Sequence, residues 1–131
     1  MRVRVKKVLA ACCLMCVLVG CSNSAEAEGY TQVDAETAAQ MMADNDDEIV
    51  LDVRSPEEYQ EQHIPEAINI PNETIGEEPI DALPDKEQLI LVYCRSGNRS
   101  KQAAEKLAAQ GYTNIVEFGG INDWQGETVA S

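Results

Sequence analysis

Short apolar runs alternate with helix-spaced apolar positions over most of this chain. Ile49-Val50-Leu51, closed by Asp52, is a continuous apolar run of the kind that a strand covered on both faces shows. The clearest such run is Leu89-Ile90-Leu91-Val92-Tyr93, which ends at Cys94, and Ile115-Val116-Glu117-Phe118 is a further strand. Residues 67–70 fit a shorter one. Between these runs, Asp34 fits an N-cap for a helix over 35–43 with Ala38, Ala39 and Met42 on one face. Ser55-Pro56-Glu57-Glu58 supplies a cap, a first-turn proline and two acids, so a helix starts there and stops by His63, before Pro65. Residues 71–84 read as a connection with single helical turns at most. A third helix spans 101–110, with Ala103, Ala104, Leu107 and Ala108 inward and Gly111 closing it. Gly119-Gly120 reads as a turn, and 121–124 opens a last helix with Trp124 in the core. Strands alternating with helices predict an α/β fold, a mostly parallel sheet covered on both faces. Ligands bind such sheets beyond the carboxyl ends of the strands, which is where Cys94 falls.

The first residues follow a different pattern. Arg2, Arg4, Lys6 and Lys7 precede an uncharged apolar run of twelve residues from Val8 to Val19, too short to span a bilayer as a mature helix. That layout is an export signal and is set apart from the fold. Leu18-Val19-Gly20-Cys21 resembles the lipobox of bacterial lipoproteins, and the resemblance implies acylation of Cys21 as the mature N-terminus. The chain then divides into a signal peptide (1–20), a lipidated tether (21–29) that is small, polar and acidic, and a single domain (30–131). Multiple acyl chains on Cys21 would hold the protein on a bacterial membrane, facing outside the cytoplasm.

Removing the signal changes two counts. Cys12, Cys13 and Cys16 go with it, so of five cysteines only Cys21 and Cys94 remain, and no disulfide framework is possible. With Cys21 acylated, Cys94 has no partner within the chain, and an unpaired cysteine in an exported protein is a candidate reactive thiol. Four of the ten basic residues also leave, so six face 23 acids and the net charge moves from −13 to near −17. Such a surface repels nucleic acid and anionic head groups. Four of the six remaining cations, Arg95, Arg99, Lys101 and Lys106, nevertheless follow Cys94 closely.

Cys94-Arg95-Ser96-Gly97-Asn98-Arg99-Ser100 joins the best strand to the best helix. A short loop there can converge its N–H groups on the Cys94 sulfur, with the helix N-terminus behind them. Gly97 opens backbone angles that other residues avoid, and Arg95 and Arg99 add full charges. These effects favour thiolate over thiol and favour a bound anion. Residues 95–100 are therefore the candidate substrate-binding residues and Cys94 the candidate nucleophile. Cysteine-dependent phosphatases resemble one another in an arginine six positions after the cysteine; here that position is Ser100, Arg99 is one residue nearer, and the smaller cradle suits a terminal sulfur.

The chain resembles the rhodanese family of single-domain sulfurtransferases. The resemblance rests on Leu51-Asp52-Val53-Arg54, Glu58-Tyr59, the run from His63 to Pro71, the Cys94 loop, and Gly119-Gly120-Ile121 followed by Trp124. It implies a five-stranded, mostly parallel sheet flanked by helices on both faces, and a Cys94 that cycles through a persulfide. A donor such as thiosulfate would supply the sulfur, and cyanide or a thiol would accept it. Asp52, Arg54, Glu58 and His63 look in the family like scaffold residues near the site. Family members commonly carry glycine where this chain has Gln62 and Glu66, positions that bear on turn geometry. The chemistry calls for no cofactor, a single histidine suggests no metal site, and a monomer is expected. A binding or sulfur-delivery module without turnover, and a thiol redox sensor, are the competing readings; replacing Cys94 by Ser separates docking from chemistry, and a mixed disulfide or sulfenate would mark the sensor.

Overall fold

The computed structural model describes residues 25–27 and 29–131; the signal segment, with Cys12, Cys13, Cys16 and the lipidation candidate Cys21, lies outside the described residues. Its elements are β1 (Ala25–Ala27), β2 (Tyr30–Gln32), α1 (Ala35–Asp44), β3 (Ile49–Asp52), α2 (Pro56–Glu61), β4 (Ile68–Asn69), β5 (Ile90–Cys94), α3 (Asn98–Ala109) and β6 (Ile115–Gly120), with single 3₁₀ turns at Asn72–Thr74 and Ile121–Asp123.

The most apolar strand of the domain becomes the middle of the sheet. In the order β1-β2-β6-β5-β3-β4, strand β5 lies between β6 and β3, and all five of its residues are buried. The pairs β2–β6, β6–β5, β5–β3 and β3–β4 are parallel, which gives the expected five-stranded parallel sheet. Part of the stretch read as a tether adds to it, because Ala25–Ala27 pairs antiparallel with β2 through a turn at Gly29.

Strand alternation then builds two cores. Ile90, Val92 and Cys94 pack with Ala103, Ala104 and Leu107 of α3, while Leu91 and Tyr93 pack with Ala38 of α1, Ile64 and Phe118 on the other face. Both caps expected from sequence form: Asp34 accepts from the Thr37 N–H, and Ser55 and Glu58 close a reciprocal capping box at the start of α2. Four expectations change. In α1, Ala39 is exposed and Met41 joins Met42 against the core. The third helix starts at Asn98, three residues early, directly from the Cys94 loop. Gly119 and Gly120 belong to β6, and only a 3₁₀ turn follows them. Trp124 is half-buried at the margin of the second core.

Two buried charges fasten the carboxyl end of the sheet. Arg54 donates to Asp52 through Nε and Nη2, the latter at 2.6 Å, and also reaches the Gln62 carbonyl. Tyr93 donates to Asp52 at 2.7 Å and accepts from the Ile64 N–H, so β3, β5 and the turn after α2 share one network. Burial, reinforced by Asp52, pushes the Tyr93 hydroxyl well above its ordinary pKa, so it stays a donor. In the turn that follows, Glu66 adopts φ 72°, the one left-handed non-glycine among the described residues. A side chain there costs about 1–2 kcal/mol, partly offset by the lower unfolded-state entropy of a non-glycine residue. Glu66→Gly is expected to stabilise the domain by about 0.5–1 kcal/mol, read as a higher urea midpoint with an unchanged slope.

Candidate active site

Cys94 is the last residue of β5, and its sulfur faces α3 at 1% residue exposure. The chain turns back at once: Gly97, at φ 116°, is the residue before α3, and its N–H donates to Cys94 Sγ at 3.0 Å. That angle lies in the region that favours glycine, so the bond depends on residue 97 having no side chain. Sulfur and helix N-terminus thus meet across three residues, and the free amide ends of α3 add partial positive charge beside the sulfur.

The end of β6 holds this loop from below. Val92 pairs with Glu117 but Cys94 pairs with Gly120, so β6 carries one extra residue here, a bulge of the type found beside active sites. Gly119 takes φ 91° within it. A Cβ on Gly120 would sit 1.9 Å from the Arg95 carbonyl oxygen, and that same oxygen accepts from the Asn122 N–H at 3.2 Å. The pair of glycines is therefore the floor of the loop, a role that the sequence marked only as two adjacent glycines.

Ser100, in the first turn of α3, is fully buried and brings its hydroxyl to the sulfur, accepting from the Cys94 thiol at 3.4 Å. Beneath it lies Glu117, a buried carboxylate that sequence reading placed simply within a strand; it accepts from Ser100 Oγ and, at 2.9 Å, from the Gly119 N–H. Its signal was available: alternation along β6 turns residue 117 to the same face as Ile115, where an acid is unusual.

The remaining loop residues face outward. Ser96 and Asn98 are exposed at the rim. Arg95, its side chain 59% exposed, and Arg99 both pair with Glu58, at 3.3 Å and 2.8 Å. Hydrogen bonding from Arg99 holds the Glu58 carboxyl far below the usual carboxylate range against the opposing effect of burial, and the same contact pushes Arg99 upward. Two cations thus share one carboxylate. Arg54, Glu58, Glu61, Gln62, Arg95 and Asn122 line a polar cleft of about 210 Å³ beside the loop. His63 is turned elsewhere: its ring stacks on Tyr59 at 3.7 Å, Nδ1 lies 2.7 Å from the Tyr59 carbonyl, and its backbone pairs with Val129.

Fold and site together define an α/β domain built around one cysteine whose sulfur meets the Gly97 amide in a loop that carries two arginines. Residues 34–127 match the family described as Rhodanese-like domain, and the chain belongs to that family. It is 45% identical over 73 residues to the protein named Thiosulfate sulfurtransferase PspE of Escherichia coli (strain K12), a match that covers 56% of this chain and 70% of that one. To the Sulfurtransferase of Allochromatium vinosum it is 35% identical over 94 residues, 71% of this chain and 86% of the relative. A solved structure described as rhodanese with anions from E. coli superposes with a TM-score of 0.59 at 42% identity, covering 64% of this chain and 99% of that one.

The Glu58 contacts give a pH test with a definite sign. A carboxylate whose folded pKa is depressed contributes stability that is complete above the unfolded pKa, about 4.3, and is lost progressively as pH falls from there through the folded value. Glu58→Gln is expected to cost about 1 kcal/mol at pH 7, with little change down to about pH 5 and a shrinking difference below about pH 4, followed by urea unfolding across that range.

Proposed function

We propose that this rhodanese-type sulfurtransferase carries sulfane sulfur on Cys94, taking it from thiosulfate and giving it to a thiol or to cyanide. The observation that supports the reading most is the Gly97 N–H at 3.0 Å from Cys94 Sγ, at the start of α3, where negative charge on sulfur is stabilised. The name of the Escherichia coli relative supports thiosulfate as the donor.

In the first half-reaction the Cys94 thiolate attacks the outer sulfur of thiosulfate. A sulfur–sulfur bond forms to Cys94, the bond to the sulfonate sulfur breaks, and sulfite departs with that electron pair, leaving a persulfide anion. In the second, an acceptor thiolate or cyanide attacks the outer sulfur of the persulfide, and the Cys94 thiolate is regenerated. Neither half needs a redox cofactor, because each moves one sulfur atom to a nucleophile. Arg95 and Arg99 supply the charges that draw the dianion to the rim. Asp52, Arg54 and Glu58 position the loop and the turns around it, and His63 acts through packing.

Cys94→Ser is expected to reduce thiosulfate:cyanide turnover by more than about a hundredfold while leaving the fold intact by circular dichroism. Intact mass spectrometry after thiosulfate treatment should show the gain of one sulfur atom on the wild-type chain and none on Cys94→Ser; an unchanged wild-type mass, together with no turnover, would defeat the reading.

The lipobox-like run ending at Cys21 supports a second proposal, that the exported chain is anchored to a membrane by acyl groups on Cys21. The protein purified from membranes is expected to begin at Cys21 with acyl mass added; a soluble product that keeps Cys21 unmodified would remove the anchor.

A further inference from the structure

The hydroxyl of Ser100 has one proton to give and two lone pairs to offer. Four groups surround it: Cys94 Sγ at 3.4 Å, the Gly97 carbonyl at 3.0 Å, the Gly119 carbonyl at 3.3 Å and the carboxylate of Glu117. Both carbonyls can only accept. A fully ionised pair, thiolate and carboxylate, would leave this hydroxyl among four acceptors with a single proton and would bury two negative charges joined by one oxygen atom. One more proton is therefore required, and only sulfur or carboxyl can carry it.

The surroundings of Glu117 favour a shared proton. The residue is 2% exposed. Its hydrogen-bond donors are neutral: Ser100 Oγ, the Gly119 N–H at 2.9 Å and the Gln32 amide at 3.2 Å. The ion pairs among the described residues join Arg54 to Asp52 and Arg95 and Arg99 to Glu58, and none reaches Glu117. Through Ser100 the hydrogen bonds run on from Glu117 to Cys94, a titratable group at the other end of the link.

We infer that Glu117 is a positioning residue that stores the Cys94 proton, passed through the Ser100 hydroxyl, whenever the sulfur is anionic. With the proton on sulfur, the thiol donates to Ser100 and Ser100 donates to the Glu117 carboxylate. When the sulfur ionises, both bonds reverse: Ser100 donates to sulfur and the neutral carboxyl donates to Ser100. Loading from thiosulfate is then balanced internally. Thiol, carboxylate and thiosulfate become persulfide anion, carboxylic acid and sulfite, and no proton crosses to solvent. The inference rests on the persulfide chemistry proposed above and adds the place where its proton goes.

Glu117→Gln is the discriminating variant, because the amide oxygen still accepts from Ser100 and Gly119 and the amide nitrogen can pair with a turned Gln32, yet no proton can be stored. Infrared difference spectra of the whole chain, before and after thiosulfate, should show the S–H stretch vanish and the carbonyl stretch of a protonated carboxyl appear. In Glu117→Gln the S–H stretch should vanish without the carboxyl band. The rate of persulfide formation, nearly constant around neutral pH in the wild type, should climb with pH in the variant by up to about tenfold per unit. Ser100→Ala, which cuts the link and keeps the acid, should lose the carboxyl band in the same way and provides the second test if Glu117→Gln does not fold. A wild-type chain that gains sulfur with no carboxyl band, or a Glu117→Gln chain with the wild-type pH profile, overturns the inference and leaves the persulfide intact. A wild-type chain that gains no sulfur overturns the persulfide reading and this inference with it.

Discussion

The Cys94 sulfur is buried at the end of the central strand, and a buried polar atom is tolerated only where hydrogen-bond partners replace water. The Gly97 N–H is the donor that does so, and its position dictates much of the surrounding structure. To place it, the chain must reverse within three residues of Cys94 and enter α3 through a left-handed angle. The reversal brings the Arg95 carbonyl onto β6, so Gly120 must lack a Cβ. Gly119 must then adopt φ 91° so that the bulge keeps β6 paired on either side. One hydrogen bond to sulfur thus constrains a loop, a helix start and the end of a neighbouring strand.

Those parts of the fold that depend on local pattern were legible in the sequence. Continuous apolar runs gave β3, β5 and β6 because a parallel sheet buried on both faces leaves no polar face to interrupt them. Asp34 and Ser55 marked helix starts because capping is settled within four residues. The family resemblance added the strand count and the order of the site segments. The strand-to-helix connection after Cys94 was legible for the same local reason, since strand, loop glycine and helix are consecutive.

Features made by contact between distant segments were not legible. Sequence placed the start of α3 at Lys101, although it lies at Asn98, because Asn98, Arg99 and Ser100 look like loop residues until the Cys94 turn orients them. Gly119-Gly120 resembled a turn because the Arg95 carbonyl that requires a bare backbone is some 25 residues away in the chain. Ala39 lay on the expected apolar face of α1, but the methionines beyond it reach the second core and leave it exposed. Glu117 is the instructive case. Inside a strand an acid reads as a solvent-facing position, and only the two-residue alternation from Ile115 turns it inward toward Ser100.

The same distance effect changes the electrostatics of the rim. Counted along the sequence, Arg95 and Arg99 bring two positive charges to the loop, but Glu58 arrives from α2 and is shared by both. Any anion approaching Cys94 therefore competes with a carboxylate already fixed by the cap of its own helix, where Ser55 Oγ and N–H also bind it. A monoanion can do little more than replace what Glu58 provides. A small dianion can engage both guanidinium groups and still add attraction, so the carboxylate raises the threshold for weak anions more than for strongly charged ones. Because Glu58 offsets part of the rim charge, the contacts closest to the Cys94 sulfur are neutral ones, the Gly97 amide and the Ser100 hydroxyl. In the sulfur-carrier reading proposed above, the arginines therefore bear on which anion arrives, while the amide and hydroxyl bear on the sulfur itself.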